Sequence, residues 1–243
     1  MNRRHFLFAS ALASALASAR PAVAQLPADK VVIIHGLWMT GAENGWLRSR
    51  LHDEYGFDPH QYSYPTVQLG LEDNMRRLRD FIAAVPGDRL HVVGHSLGGL
   101  LALHTLLRYP GPRPGRVVCL GSPLRGSAAA RAVASLPFGL DILGATMREA
   151  VLNGGLAEYR GSREVGVIAG TMGLGLGAVI ENLPMPNDGT VAVEETRLPG
   201  IRDHLEVEVS HTGLLLSALV ASQTAYFLRH GRFARAGSLA RVP

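Results

Sequence analysis

The chain has 243 residues, of which 47% are hydrophobic and 18% are charged, with 28 glycines and 14 prolines. This composition excludes a disordered chain, a collagen and a coiled coil, and it allows one domain with a sizeable core. The formal charge is +4, but three of the 24 basic residues (Arg3, Arg4 and Arg20) lie near the N-terminus, so 21 remain against 20 acidic residues. That near balance argues against a nucleic-acid binder. The single cysteine, Cys119, excludes an intramolecular disulfide and a cysteine-based zinc site.

Residues 1–24 are predicted to be a cleaved export signal. Arg3 and Arg4 are followed by a short apolar run from Phe6 to Ala19 and by an Ala-Val-Ala site directly before Gln25. The start Asn-Arg-Arg-His-Phe-Leu resembles the twin-arginine export signal, and an ordinary secretory signal is the alternative. Both alternatives imply export by the twin-arginine or the general secretion machinery to the periplasm or the medium of a bacterial cell. The mature chain is expected to have no transmembrane span.

From Lys30 onward, short β-branched runs alternate with helical patterns, which predicts a mostly parallel sheet covered by helices. The predicted strands are, in chain order, Val31–Ile34, His60–Tyr64, Leu90–Val93, Arg116–Leu120, Glu164–Ala169 and Leu205–Val209. The predicted helices are an amphipathic one over Leu71–Val85, a buried one over Leu97–Tyr109, and a last one that follows the final strand through about Leu228.

An insertion of about forty residues, Gly126–Ser162, separates the fourth and fifth predicted strands. Its length makes it a candidate cap or lid over a site. The alternative is a crossover helix that only covers the sheet. No linker is long enough to divide the chain, so residues 25–243 are predicted to form a single domain.

The segment Gly94-His95-Ser96-Leu97-Gly98 fits the pattern G-x-S-x-G, in which a serine occupies a tight turn between a strand and a helix. An apolar strand precedes this segment and a buried helix follows it, as the pattern requires. Ser96 would then lie at a helix N-terminus, where free amides stabilise an oxyanion. The alternative is a Gly-Ser turn without chemistry.

Val92–Gly99, together with the turn His35-Gly36, resembles the α/β-hydrolase superfamily, and the elbow resembles that of its lipases and esterases. This resemblance implies a minimal α/β-hydrolase fold with about six strands. It also implies that the backbone amides of Leu37 and Leu97 form an oxyanion hole. The order of the catalytic triad along the chain would be serine, acid, histidine.

The acid is expected after the next-to-last strand and the histidine after the last one. Asp188 fits the first position, in an Asn-Asp-Gly-Thr-Val segment that resembles the acid segment of bacterial lipases, and Glu194 and Glu195 are alternates that look like a solvated pair. His204 and His211 compete for the second position. His211 is preferred because it follows the last predicted strand, at the end of the sheet where catalytic groups gather, whereas His204 precedes that strand.

The predicted function is an exported serine ester hydrolase that uses Ser96, His211 and Asp188 to form an acyl-enzyme. Trp38 and Met39, with the apolar stretch 136–143, are expected to form an acyl-binding wall, and ordinary core packing is the alternative. The partner would be a small-molecule or lipid ester. No motif implies a cofactor or a metal. An acyltransferase or thioesterase with the same acyl-enzyme is the first alternative, and a non-catalytic lipid-binding scaffold is the second.

Overall fold

A six-stranded sheet forms the centre of the fold in a computed structural model that describes residues 28–153, 155–173 and 183–235. The predicted export signal, residues 1–24, lies outside the described residues. The strand order is β2-β1-β3-β4-β5-β6, and every neighbouring pair is parallel. The predicted sheet of about six strands is therefore confirmed. The strands are β1 (Lys30–Ile34), β2 (Asp58–Tyr62), β3 (Leu90–His95), β4 (Val117–Leu120), β5 (Val165–Gly170) and β6 (Asp203–Val207).

Helices cover both faces of the sheet, which explains why the central strands are apolar throughout instead of alternating. In β1, Val32 and Ile34 face one core, and Val31 and Ile33 face a second core on the opposite side. The helices are α1 (Gly45–Asp53), α2 (Leu71–Ala84), α3 (Leu97–Arg108), α4 (Ala128–Ala134), α5 (Gly139–Met147), α6 (Val193–Thr196), α7 (Gly213–Leu216) and α8 (Ala218–His230). Within the described ranges, no helix is long and apolar enough to cross a bilayer.

The two outer strands begin two residues earlier than predicted. β2 and β6 each have only one neighbour, so their side chains are more polar, and β2 includes Pro59. The apolar pattern therefore located these strands less accurately than the buried ones. In consequence His204 lies inside β6, which corrects its predicted place before the strand.

Two helical predictions also need correction. The sequence analysis did not predict α1, because only Leu47 and Leu51 of its nine residues are buried and the apolar signal is correspondingly weak. The predicted helix after the last strand is divided at Ser217, whose backbone is extended. The Ser217 hydroxyl accepts a hydrogen bond from the Val220 amide at 3.3 Å and caps α8.

The insertion between β4 and β5 contains α4, α5 and a π-helical turn, Arg148–Leu152, and its inner side is part of the main core. Thr146 accepts a hydrogen bond from Asn74 of α2 at 2.8 Å and donates one to the Leu69 carbonyl at 2.7 Å. Glu149 accepts a hydrogen bond from the amide of Leu71, the first residue of α2, at 2.8 Å. The insertion is thus fastened to α2. Its outer side leaves four large apolar side chains exposed: Leu136, Phe138, Leu140 and Ile142.

Several histidines are held neutral inside the fold. Burial lowers the pKa of His91 and of His204 to about 4 and that of His95 to about 3. The Thr196 hydroxyl donates to the Val193 carbonyl, so the Nε2–H of His204 donates to Thr196 Oγ1 at 2.8 Å. These folded-state pKa values lie below the unfolded value of about 6.5. As the pH falls, these histidines therefore bind protons at a higher pH in the unfolded chain than in the folded chain.

We predict that the free energy of unfolding decreases as the pH falls from about 6.5 to about 4. Each such histidine contributes at most about 1.4 kcal/mol per pH unit to the slope. His204→Asn keeps a donor toward Thr196 but removes the titrating group, so it should flatten the slope, measured from urea unfolding at several pH values. Gln68→Asn, at an exposed residue that does not titrate, should keep the wild-type slope. A His204→Asn slope equal to that of the wild type would contradict the prediction.

Candidate active site

Ser96 occupies a strained turn between β3 and α3. Its φ of 54° lies in the left-handed region, which a residue with a Cβ rarely adopts. A hydrogen bond of 2.8 Å from the Ser96 amide to the Leu120 carbonyl joins the turn to the end of β4, and one of 3.0 Å from the Gly99 amide to the Ser96 carbonyl lies within the turn. At Gly98 a Cβ would lie 2.5 Å from the His35 carbonyl oxygen, so only glycine allows α3 to begin this close to β1. The glycines of the elbow are therefore required by packing, and Ser96 is left 7% exposed.

Asp188 and His211 form a hydrogen-bonded pair across the ends of β5 and β6. Asp188 Oδ2 lies 2.7 Å from His211 Nδ1, and the Asp188 carbonyl accepts a hydrogen bond from the His211 amide at 2.8 Å. Asp188 Oδ1 accepts hydrogen bonds from the amides of Thr190 and Val191 at 2.9 and 2.7 Å. Although Asp188 is only 1% exposed, both of its carboxylate oxygens have donors. This arrangement places the ring proton of His211 on Nδ1 and leaves Nε2 free to accept a proton.

The residues around the pair show how closely the site is packed. At Gly121, directly after β4, a Cβ would lie 2.9 Å from Asp188 Oδ2 and 3.1 Å from His211 Nδ1, and its φ is +54°. At Gly36 a Cβ would lie 2.9 Å from the Cβ of Ser96. The carboxyl ends of β1, β3, β4, β5 and β6 thus bring the predicted serine, acid and histidine to one edge of the sheet. Among the described residues Ser96 Oγ has no hydrogen bond. The hydrogen bond between a nucleophile and its base commonly forms or shortens only when substrate is bound.

His95, which the sequence analysis treated as filling a variable position, contacts the candidate base. It is completely buried, its ring centroid lies 4.7 Å from that of His211, and its Nε2 lies 3.1 Å from the His211 carbonyl oxygen. Since burial keeps His95 neutral, a donated Nε2–H satisfies that carbonyl and fixes the backbone of the histidine loop. Sequence alone could not indicate this role, because the contact crosses 116 residues.

The turn after β1 presents the Leu37 amide. His35 Nε2 accepts a hydrogen bond from the Tyr64 amide at 3.2 Å, so its Nδ1–H donates to the Gly36 carbonyl at 2.9 Å. The N–H of a trans peptide points opposite to its C=O, so the Leu37 N–H is directed away from His35. Leu97 is the first residue of α3, and its N–H is one of the unsatisfied donors of that helix. That the amides of Leu37 and Leu97 form an oxyanion hole stays a prediction.

The side chains of Trp38 and Met39, which follow this turn, lie in different surroundings. Trp38 is 51% exposed, and its indole N–H donates to the Ile142 carbonyl of α5 at 2.9 Å. Core packing therefore does not describe Trp38, which lies at the boundary between the turn and the insertion. Met39 is partly buried against the second core, so core packing does describe this side chain.

The alternates for the acid and the base lie outside the site. Glu194 is exposed, but Glu195 is only 9% exposed, which corrects the expectation of a solvated pair. Glu195 accepts hydrogen bonds from the amides of Ala128 and Ala192 and thereby ties the start of α4 to the segment after Asp188. His204 is bound to Thr196 instead of to a catalytic group.

We predict that Gly121→Ala slows the labelling of Ser96 by a fluorophosphonate at least about tenfold, because the added Cβ displaces the Asp188–His211 pair. Gly56→Ala is the matched control, since Gly56 has a φ of +64° and nothing within 4 Å of an added Cβ. Both variants bear the cost of a side chain at positive φ, about 1–2 kcal/mol. Equal labelling rates in the two variants would show that the contact at Gly121 does not matter.

Known proteins share the fold of this chain. The mature form of the lipase BlEst2 of Bacillus licheniformis superposes with a TM-score of 0.60 at 20% identity, covering 84% of this chain and 92% of that one. The carboxylesterase CesB of Bacillus subtilis superposes with a TM-score of 0.56 at 14% identity, covering 85% of each chain. At these identities the likeness concerns the fold alone.

A curated protein of Pantoea ananatis (strain LMG 20103), provisionally named carbamate hydrolase RutD, is 32% identical over 115 residues. The match covers 43% of this chain and only 40% of that relative. The family model described as "Alpha/beta hydrolase family" matches residues 31–236, which include the whole sheet except Lys30 and all three residues of the candidate triad. The chain therefore belongs to the α/β hydrolase family.

Proposed function

We propose that this α/β hydrolase cleaves carboxylic esters through an acyl-enzyme formed on Ser96. The observation that carries the proposal is the buried Asp188–His211 pair, with a distance of 2.7 Å, at the sheet edge that also holds the strained serine. A buried carboxylate with this hydrogen bond orients the imidazole and stabilises its protonated form. The fold likeness to a lipase and a carboxylesterase is consistent with ester hydrolysis.

In the proposed reaction Ser96 Oγ attacks the ester carbonyl carbon while His211 Nε2 accepts the hydroxyl proton. The amides of Leu37 and Leu97 donate to the oxyanion of the tetrahedral intermediate, and one such donor is worth about 3 kcal/mol. His211 then gives its proton to the departing alcohol, and an acyl-enzyme remains. A water molecule attacks this acyl group, with His211 as general base, and the acid leaves as Ser96 regains its proton.

The exposed apolar side chains near the site support an apolar acyl group. Trp38 follows the oxyanion turn and is bonded to Ile142, and Phe138 and Leu140 are exposed on the same insertion. An acyl chain that covers such side chains gains about 25 cal/mol for each Å² of apolar surface removed from water. We therefore assign Trp38 and the exposed part of the insertion to acyl binding.

The same acyl-enzyme would serve a thioesterase or an acyltransferase, and the name of the Pantoea relative adds carbamates to the substrates to be compared. Asp188, His211 and Ser96 act alike in all of these reactions. The leaving group and the acceptor distinguish them. Carboxylic esters remain our choice because the fold neighbours include a lipase and a carboxylesterase, whereas the apolar wall bears on the acyl group alone.

We predict that the chain from Gln25 hydrolyses p-nitrophenyl esters between acetate and palmitate and that Ser96→Ala lowers kcat by about 10⁴-fold or more. Ser49→Ala, at an exposed serine on α1, is the control and should retain wild-type rates. The panel includes acyl thioesters, p-nitrophenyl carbamates and alcohol acceptors. A higher kcat/KM for one of these classes would replace the ester assignment, and equal rates in wild type and Ser96→Ala would refute the mechanism and favour a non-catalytic lipid-binding scaffold.

We also propose that residues 1–24 direct the chain out of a bacterial cytoplasm and are then removed. Lysine in place of both Arg3 and Arg4 should trap the protein in the cytoplasm if the twin-arginine route is used, and Arg20→Lys, in the same segment, should not. The measurement is the fraction in the periplasm or medium and the N-terminal residue of that fraction, expected to be Gln25. Unchanged export of the double variant would indicate general secretion, and a cytoplasmic chain that keeps residues 1–24 would contradict export.

A further inference from the structure

A cavity of about 550 Å³ opens at the amino-terminal end of the sheet, away from the candidate active site. It lies between α2, the end of α3 and the loop that leads to β4. α3 has 12 residues, so its last residue, Arg108, lies about 18 Å from its start beside Ser96. The volume is within the range of small-molecule sites. Much of the wall is apolar, with contributions from Ile82, Ala83, Leu106, Pro110 and Pro112.

Four arginines line the same cavity: Arg79, Arg108, Arg113 and Arg163. Arg163 is only 8% exposed. Its Nη1 and Nη2 donate to the carbonyls of Leu90 and Arg113 at 2.7 and 3.0 Å, and its buried Nε has no hydrogen-bond partner. Among the described residues no carboxylate forms an ion pair with Arg163. A buried cation without a counter-ion is costly, so the site favours an anion.

The neighbouring guanidinium groups add to the positive charge. Arg113 donates to the carbonyls of Ile82 and Val85 at the end of α2 and has no ion pair within the described ranges. Burial is the largest cause that lowers the pKa of Arg163, and the charge of Arg113 lowers it further. The two guanidinium groups are bound to carbonyl dipoles only, and neither charge is neutralised.

The positive charge at the rim of the cavity is partly compensated. Arg79 pairs with Asp80 at 2.7 Å, and the side chains of Arg79 and Arg108 both lie over the ring of Tyr109, at 5.0 and 5.4 Å from its centroid. The Tyr109 hydroxyl donates to Glu72 at 2.8 Å. These two carboxylates are at the rim and already engaged. The inner pair, Arg113 and Arg163, remains available to an anionic ligand.

We propose that this cavity binds a single-chain amphiphile with an anionic head group, such as a fatty acid. The head would lie between Arg113, Arg163 and Arg108. The Nε–H of Arg163 has no partner, and the guanidinium group of Arg108, which has no ion pair among the described residues, can present parallel N–H donors to two oxygens of a carboxylate or phosphate. The chain would lie along Ile82 and Leu106. The site does not involve Ser96, so the proposal is independent of ester hydrolysis.

The test is isothermal titration of the full mature chain with decanoate. Ala83→Phe should fill the cavity and weaken the binding at least about tenfold, whereas Ala84→Phe, at the next exposed residue of α2 and outside the lining, should not. Decanoate binding that both variants retain in addition belongs to another site. Both variants should hydrolyse p-nitrophenyl esters at the wild-type rate, so failure here is distinguishable from failure of the proposed function.

Charge is tested in a second comparison. Arg108→Gln should weaken decanoate binding about tenfold and Arg77→Gln, at an exposed position of α2 outside the cavity, should leave it unchanged. Decyl phosphate in place of decanoate distinguishes a phosphate head from a carboxylate, and tighter binding of either supports an anion site. Decanol binding as tight as decanoate binding, or decanoate binding that is equal in Ala83→Phe and Ala84→Phe, overturns the proposal.

Discussion

The close contact between the start of α3 and the end of β1 determines the geometry of the candidate site. Because Gly98 has no side chain, its backbone lies against the His35 carbonyl, where a Cβ would approach to 2.5 Å. The same contact places Ser96 beside the turn that presents the Leu37 amide. A larger residue at Gly98 would move Ser96 away from the Leu37 amide, the proposed oxyanion donor, even though neither of these two groups had changed. The geometry of the candidate site therefore depends on how closely the backbone packs at Gly98.

A second constraint is the burial of Asp188. A carboxylate that is nearly inaccessible to water requires donors for both oxygens, and it obtains them from two amides of its own turn and from His211. The backbone hydrogen bond from the His211 amide to the Asp188 carbonyl fixes the distance between the two loops independently of the side chains. Asp188 and His211 are therefore preorganised as one unit, and their reorganisation during the proposed reaction would be small.

Most of the fold was predictable because its central strands are buried on both faces and so appear as continuous apolar runs. The order serine, acid, histidine came from the family resemblance, and the placement of Ser96, Asp188 and His211 at one edge was expected because they follow β3, β5 and β6, parallel strands that end there. What the sequence analysis missed depends on contacts between distant segments. The burial of Glu195, the bond from His95 to the His211 carbonyl and the arginine-lined cavity all arise from side chains brought together by folding, and none has a local pattern. The outer strands were misplaced because one exposed side makes their pattern polar.

The position of Glu195 has a further consequence for the mobility of the insertion. Its carboxylate joins the first turn of α4 to the segment that carries Asp188, and its own surroundings are nearly dry. Movement of α4 away from the sheet would remove the hydrogen bond from the Ala128 amide to Glu195 and leave only the one from Ala192, at a cost of roughly 1–3 kcal/mol. A second attachment holds the insertion beyond α4, where Thr146 and Glu149 are hydrogen-bonded to α2 and to the segment before it. Between these two attachments in sequence lie the exposed side chains of Leu136, Phe138, Leu140 and Ile142, so the apolar surface that we assign to acyl binding is held on both sides.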